Sequence, residues 1–280
     1  MASVHSPIRA FLKPILFKLF GNTFYPWFQY KAKVRDIELK LVEEKEMELL
    51  PLFLSANGEA IDIGANYAYY TVRLANLCKK VYAFEPIPFT YKVCAMVIKH
   101  YKLKNVLLYN KGIGEKNEWH KFTIPVTDFG AISAGQAHFG ERNDNLEGRE
   151  KHVKFNKTQE VDCEVIALDT LIDQFSDVQF IKIDIEGAEY FALRGMQKTI
   201  EKFRPVILIE INPFFLKGFN LTEQQMADLI EELQYDIFVY DDTMKKLIKS
   251  KMPFEESNYI LIDKNKLQHF QNYIDHEVQS

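Results

Sequence analysis

Short unbroken apolar runs alternate with stretches of helical spacing along most of this chain. The first two runs, Ala60-Ile61-Asp62-Ile63 and Val81-Tyr82-Ala83-Phe84, flank a helical pattern. A third covers Asn105 to Tyr109, a fourth Gln179 to Asp184 and a fifth Pro205 to Glu210. Runs of this length without polar alternation predict strands buried on both faces, as in a parallel sheet. Helices are expected after Asn66, from Glu85-Pro86 to Lys102, and from Glu186 to about Lys202. Another runs from Thr222 to Leu233, where Thr222-Glu223-Gln224-Gln225 has the form of a capping box. Tyr235 to Tyr240 and Asn258 to Asp263 read as two last strands. Their lysine-rich link is too short for a crossover helix, which predicts an antiparallel pair. The expected architecture is α/β, a mostly parallel seven-stranded sheet with a terminal antiparallel pair and helices on both faces.

Two segments break the alternation. Residues 1–35 form an N-terminal appendage, in which Ile8, Phe11, Leu12, Ile15, Leu16, Leu19 and Phe20 trace one helical face, interrupted by Pro14. This stripe is too short and too charged to span a bilayer. It docks on the protein's own domain, on a second copy in a homo-oligomer, or, with the aromatic sequel Phe24-Tyr25-Pro26-Trp27-Phe28, on a membrane surface. From Arg35 to Ser55 the pattern is helix-like and acidic. Residues 36–280 form the main domain. Within it, 112–164 reads as an insertion with one strand over Trp119 to Ile124 and then a polar stretch, either a substrate loop or a surface excursion.

Composition narrows the function. Hydrophobic residues make up 47% of the chain, which excludes a disordered protein, and the net charge of -4 gives no field for nucleic acid. Cys78, Cys94 and Cys163 are far apart and form no C-x-x-C, as expected of reduced thiols in a cytoplasmic protein. The seven histidines show no zinc-binding spacing.

In an open α/β sheet, ligands sit at the carboxyl ends of the strands. Here those ends carry Asp62-Gly64-Asn66, Glu85, Lys111-Gly112, Asp184-Glu186 and Glu210-Asn212. Gly64 lets backbone approach a ligand closely, and Glu85, 23 positions after Asp62, can accept hydrogen bonds from two ribose hydroxyls. Lys182 shares a strand face with Asp184, so it should pair with a carboxylate or reach solvent, as part of a scaffold ion pair or in contact with substrate. Glu189, three positions after Glu186, suits the positive end of a helix as well as it suits chemistry. Asp184, Glu186 and Glu210 together could hold a divalent cation.

The words AIDIGANYAYYT, VYAFEP, VIALDTLI, FIKIDIEGAEYFALRGM and RPVILIEIN, in this order and spacing, resemble the FkbM family of S-adenosylmethionine-dependent methyltransferases. The resemblance covers about Ala60 to Asn212. It implies the class I (Rossmann-like) methyltransferase fold and methylation of a hydroxyl of a sugar or other small molecule. It further implies that Asp62, Gly64 and Asn66 flank the methionine and ribose of the cofactor, that Glu85 binds the ribose, and that Asp184 to Glu186 face the reacting methyl. Ala68 stands where such sequences usually carry glycine. Two alternatives stay open: a nicotinamide-dependent dehydrogenase, although Gly64-Ala65-Asn66-Tyr67-Ala68 lacks the glycines of G-x-G-x-x-G, and a degenerate binding module without turnover.

Overall fold

The computed structural model describes residues 25–126, 138–139, 157–255 and 258–275. The apolar stripe of residues 6–21 lies outside them, as does most of the polar stretch before residue 157. The strands are β1 (Glu59–Ile63), β2 (Lys80–Phe84), β3 (Val106–Tyr109), β4 (Gly112–Ile113), β5 (Glu118–Val126), β6 (His138–Phe139), β7 (Lys157–Ile166), β8 (Val178–Ile183), β9 (Val206–Glu210), β10 (Tyr235–Asp241), β11 (Lys246–Lys249) and β12 (Asn258–Asp263). Helix α1 spans residues 25–38. It is followed by α2 (Leu50–Phe53), α3 (Tyr69–Ala75), α4 (Pro88–His100), α5 (Glu189–Arg194), α6 (Gln197–Phe203), α7 (Pro213–Gly218), α8 (Glu223–Glu232) and α9 (Leu267–Phe270).

The main sheet has the order β3-β2-β1-β8-β9-β12-β10-β11. From β3 to β9 all pairings are parallel, whereas β12 runs antiparallel to both β9 and β10. The expected antiparallel pair is therefore present, but the sheet has eight strands. The lysine-rich link folds as β11, whose Leu247 is fully buried between flanking lysines, and it pairs with β10.

Burial on both faces explains the unbroken apolar runs. Ile61, Ile63, Tyr82, Phe84, Ile181, Ile183, Ile207 and Ile209 face one layer, packed with residues of α5, α6, α7 and α8. Ala60, Val81, Phe180 and Leu208 face the other, against α2, α3 and α9, while Ala83 meets Cys94 and Val97 of α4 and Val34 of α1. Helix α1 is anchored further by Tyr25, whose ring stacks on Phe89 of α4 at 5.6 Å.

The single helix expected from Glu186 to Lys202 is two, α5 and α6, broken at Gly195 and Met196. A side chain at Gly195 would lie 1.9 Å from the carbonyl oxygen of Gly114, so the backbone packs there where helical spacing alone gave no warning. The capping box at the start of α8 forms as expected, with both reciprocal hydrogen bonds present.

A second sheet, of order β4-β7-β5-β6, occupies part of 112–166. Strands β5 and β7 pair antiparallel from Glu118↔Val165 to Val126↔Lys157, so the segment expected as one strand and a loop carries a long two-stranded ribbon. No helix among the described residues is long and apolar enough to cross a membrane.

Candidate active site

The tips of β1, β2 and β8 are tied together by backbone. The amides of Gly64 and Ala65 both donate to the Phe84 carbonyl, at 3.0 and 2.9 Å, and the Asp184 amide donates to the Ile63 carbonyl at 3.1 Å. Gly64 has φ +83°, and a Cβ there would lie 2.0 Å from the Asp184 carbonyl oxygen, so only glycine lets the tips of β1 and β8 meet. Ala68, at the N-cap of α3, also adopts a left-handed conformation, φ 67° and ψ 25°. The strain of about 1 kcal/mol that alanine meets there is offset in part by its methyl, fully buried beside Ala65 and Val72.

Glu85 directly follows β2 and is buried. Its Oε2 accepts from the Asn66 amide and its Oε1 from the Ile87 amide, both at 2.9 Å. Burial pushes its carboxyl up to about 7, and the charges of Asp62 and Asp184 add to that, against the two amide hydrogen bonds.

After β8 the chain turns through Glu186, φ 58°, and Gly187, φ 104°. The turn is held by Glu189, whose Oε1 accepts from the amides of Ile185 at 2.9 Å and Gly187 at 3.2 Å. Glu189 therefore shapes the loop that carries Glu186. Replacing it with alanine leaves two amides without their acceptor, and a loss of about 2 kcal/mol in stability is expected. Hydrogen exchange at Ile185 and Gly187 should then accelerate at least about tenfold, and unchanged protection at both amides would show that the turn holds without Glu189.

Asp184, Lys182 and Glu210 form a linked set in which Lys182 is buried while the Asp184 side chain is 40% exposed to the cavity. Lys182 Nζ lies 2.8 Å from Asp184 Oδ2 and 4.7 Å from the centre of the Tyr70 ring. Burial alone would lower the Lys182 pKa, but the charges of Asp184, Glu44 and Asp62 outweigh it and keep it raised. Burial likewise disfavours ionised Asp184, yet Lys182 and a hydrogen bond from Glu210 hold its carboxyl below the ordinary range. Glu210 is pushed well up by burial and by Asp184, so it stands protonated and donates. Asp62 is buried with its Oδ2 accepting from Thr71 Oγ1 at 2.5 Å.

A cavity of about 310 Å³ opens over these strand tips. Of the residues singled out in the sequence, Gly64, Asn66, Glu85, Gly112, Asp184 and Glu186 line it together, whereas Asp62, Lys182 and Glu210 lie outside its lining. The second sheet supplies Glu118, His120, Phe122 and Val165, and α5 supplies Phe191. These were missed in the sequence. The available signal was the alternation Glu118, His120, Phe122, which puts three cavity-lining side chains on one face of a strand.

The lining fits S-adenosylmethionine. Glu85 offers carboxylate lone pairs to a ribose, and Ile87 and Ile113 offer apolar surface to a purine. The side-chain oxygen of Asn66 is buried without a hydrogen-bond partner, an acceptor awaiting a donor. The divalent cation does not fit. Among the described residues no group of three or more His, Cys, Asp or Glu is placed to hold one. Asp184 and Glu210, two of the three carboxylates considered for it, are already engaged with Lys182 and with each other.

The strand order with its antiparallel β12, and the row of tips around this cavity, define a class I methyltransferase fold. The family described as the methyltransferase FkbM domain matches residues 62–237, well over half of the chain, and the chain belongs to that family of methyltransferases. No curated protein matches it. Among solved structures, methyltransferase FkbM from Methylobacillus flagellatus is similar at 17% identity and a TM-score of 0.46, over 75% of this chain and 44% of that one. This chain thus spans less than half of that protein. An O-methyltransferase from Bacillus cereus, in complex with S-adenosylhomocysteine, is similar at 12% identity and a TM-score of 0.43, over 82% of this chain and 89% of that one. Membership rests on the match over residues 62–237, not on these distant likenesses, and it excludes the dehydrogenase alternative.

Proposed function

We propose that the protein transfers a methyl group from S-adenosylmethionine to a hydroxyl oxygen of a sugar or glycan. The observation that carries this reading is Glu85, a buried carboxylate fixed by two backbone amides on the cavity that Gly64, Asn66, Asp184 and Glu186 also line. The cofactor, when bound, supplies a methyl already activated on a positively charged sulfur. The chain's task is then to hold and orient. Glu85 takes the ribose hydroxyls, Asn66 the polar amino-acid end, and Ile87 and Ile113 the base. Asp184 is kept ionised by Lys182 and Glu210, and with Glu186 it accepts hydrogen bonds from the incoming hydroxyls and fixes the acceptor's angle of approach. Phe122 and Phe191, both on the cavity, offer flat apolar surface to a pyranose face.

Incubation with isotopically labelled S-adenosylmethionine and a panel of glycans, followed by mass analysis, tests this function. Label in a sugar O-methyl group is the expected result. Label in protein, nucleic acid or amine nitrogen alone would overturn the hydroxyl assignment, and tight S-adenosylhomocysteine binding without label in any product would favour the binding module.

A further inference from the structure

The acceptor's proton needs a destination. Three carboxylates at the strand tips, Glu85, Asp184 and Glu189, are poorly suited to take it, which leaves Glu186 of those tips and the groups of the second sheet. Glu85 already accepts from two amides. Asp184 is held ionised by a lysine 2.8 Å away. Burial keeps Glu189 protonated up to about 7, with its Oε1 committed to the turn amides. The second sheet, however, presents an imidazole to the same cavity. His120 lies on β5 between Glu118 and Phe122, and all three line the cavity. His120 Nε2 lies 2.8 Å from Glu118 Oε1. A carboxylate at that distance takes the proton on Nε2 as its hydrogen-bond donor, which makes Nδ1 the basic nitrogen.

Resting on the methyl-transfer reading above, we propose that His120, oriented by Glu118, is the catalytic base that accepts the proton of the acceptor hydroxyl. As the acceptor oxygen forms its bond to the methyl carbon, the carbon–sulfur bond breaks and its electron pair stays on sulfur. The hydroxyl proton passes to Nδ1 of His120. Glu118, a positioning residue, stabilises the imidazolium, which returns its proton to solvent after the ether product leaves. The arrangement follows a general pattern in which a base is fixed by a carboxylate on its far nitrogen. It also matches base strength to task, because an ordinary imidazole is about a hundredfold stronger as a base than an ordinary carboxylate. Among the described residues, charged and titratable groups near His120 include Glu118 and Lys116 on its own segment, Cys163 opposite it on β7, and Glu85, Glu115, Asp184 and Glu186 on the shared cavity. Lys116 lies 3.4 Å from Glu118 Oε2, so Glu118 bridges two cations once His120 is protonated.

The test compares wild type, His120→Asn, Glu118→Gln and Glu118→Asp. S-adenosylhomocysteine binding is measured by calorimetry, turnover with S-adenosylmethionine on a panel of methyl hexopyranosides, and the His120 ring signal by NMR of histidine labelled at Cε1. His120→Asn should bind S-adenosylhomocysteine within about threefold of wild type while losing at least about a hundredfold in turnover, and the acid limb of kcat at saturating S-adenosylmethionine should vanish. Glu118→Gln should lower turnover by at least about tenfold with S-adenosylhomocysteine binding within about threefold of wild type, and Glu118→Asp should restore part of that loss. The proposal is overturned if His120→Asn retains more than about a third of wild-type turnover, or loses more than about tenfold in affinity, which would make His120 a cofactor contact. Where wild type methylates none of these sugars, the NMR decides: labelled His120 that shows no change in ring signal on Glu118→Gln is not oriented by Glu118, which overturns the proposal. Absence of S-adenosylhomocysteine binding by wild type would instead sink the underlying methyl-transfer reading.

Discussion

Replacing Glu85 with glutamine is expected to weaken S-adenosylhomocysteine binding by about a hundredfold, the equivalent of losing two charge-assisted hydrogen bonds to ribose. Glutamine has one oxygen where the carboxylate has two, so its NH2 group must face the amide of either Asn66 or Ile87, donor against donor. The same carboxylate predicts a pH dependence in wild type. In the free protein burial raises Glu85 to about 7, and ribose hydroxyls donate to its ionised form. Affinity must therefore rise as pH increases through 7, by about tenfold between pH 6 and 8, and level off above. Stability of the free protein moves the other way. A carboxyl with its folded pKa raised binds protons better folded than unfolded, so its contribution is lost as pH rises from the ordinary carboxylate range to about 7. Glu189, also raised to about 7, adds to the same slope. Calorimetric titrations at several pH values check the binding, and urea unfolding without ligand checks the stability. Affinity that is flat from pH 6 to 8 in wild type, or within about threefold of wild type in the glutamine variant, would remove Glu85 from the ribose.

These opposed trends follow from features that differ in how legible they were in the sequence. The strand tips were legible because two local signals coincide there. An apolar run marks each strand buried on both faces, and the polar residue that ends it falls at the one sheet edge where ligands gather. That reasoning brings Gly64, Asn66, Glu85, Asp184 and Glu186 to one cavity. It cannot tell which acids face the cavity and which face the core. Asp62 and Glu210 are chemically equivalent to Glu85 and Asp184 in a sequence, yet they lie outside the lining. Orientation depends on which side chain each acid meets in the fold: Thr71, nine residues on, for Asp62 and Lys182, two residues back, for Asp184.

The second sheet was illegible for a different reason. Its two long strands are separated by 30 residues, from Val126 to Lys157, so neither carries a turn signal that announces the other. The pairing is visible only once the register Glu118↔Val165 to Val126↔Lys157 is known. Glu189 shows the reverse case. Its position at the start of α5 suggested compensation of the helix dipole, while its hydrogen bonds run backwards to Ile185 and Gly187. The positive φ of Glu186 and Gly187 explains why such a clamp is needed, since a left-handed glutamate costs about 1 kcal/mol and persists only when its surroundings enforce it. That strain sits in the loop that closes the cavity, where a fixed carboxylate is most useful.

The largest effect on stability is expected from Lys182→Met. Lys182 is 4% exposed, and its ammonium faces Asp184 directly, with Asp62 and Glu44 contributing further attraction. Methionine fills much of the same space but leaves Asp62 in the core, and Asp184 on the cavity wall, without a cation. Removing one partner of a fully buried ion pair costs about 3–5 kcal/mol; Asp184 is 40% exposed and is partly solvated, so a loss of about 2–3 kcal/mol is expected. Asp62 is already raised above the ordinary range by burial, with Lys182 the foremost influence opposing that rise, so the loss of Lys182 drives it towards the protonated form. Urea unfolding at neutral pH should show the full loss and a partial recovery in mildly acidic buffer, where the carboxyls are neutral. The double variant Lys182→Met, Asp184→Asn removes charge from both sides, and it should regain more than about half of the loss, since a pair replaced whole is far less costly than a pair broken. It should also lose the ionised carboxylate on the cavity, so stability returns without activity. A single variant that loses under about 1 kcal/mol would mean that the ammonium reaches solvent and that the acids at these strand tips are held ionised by something other than Lys182.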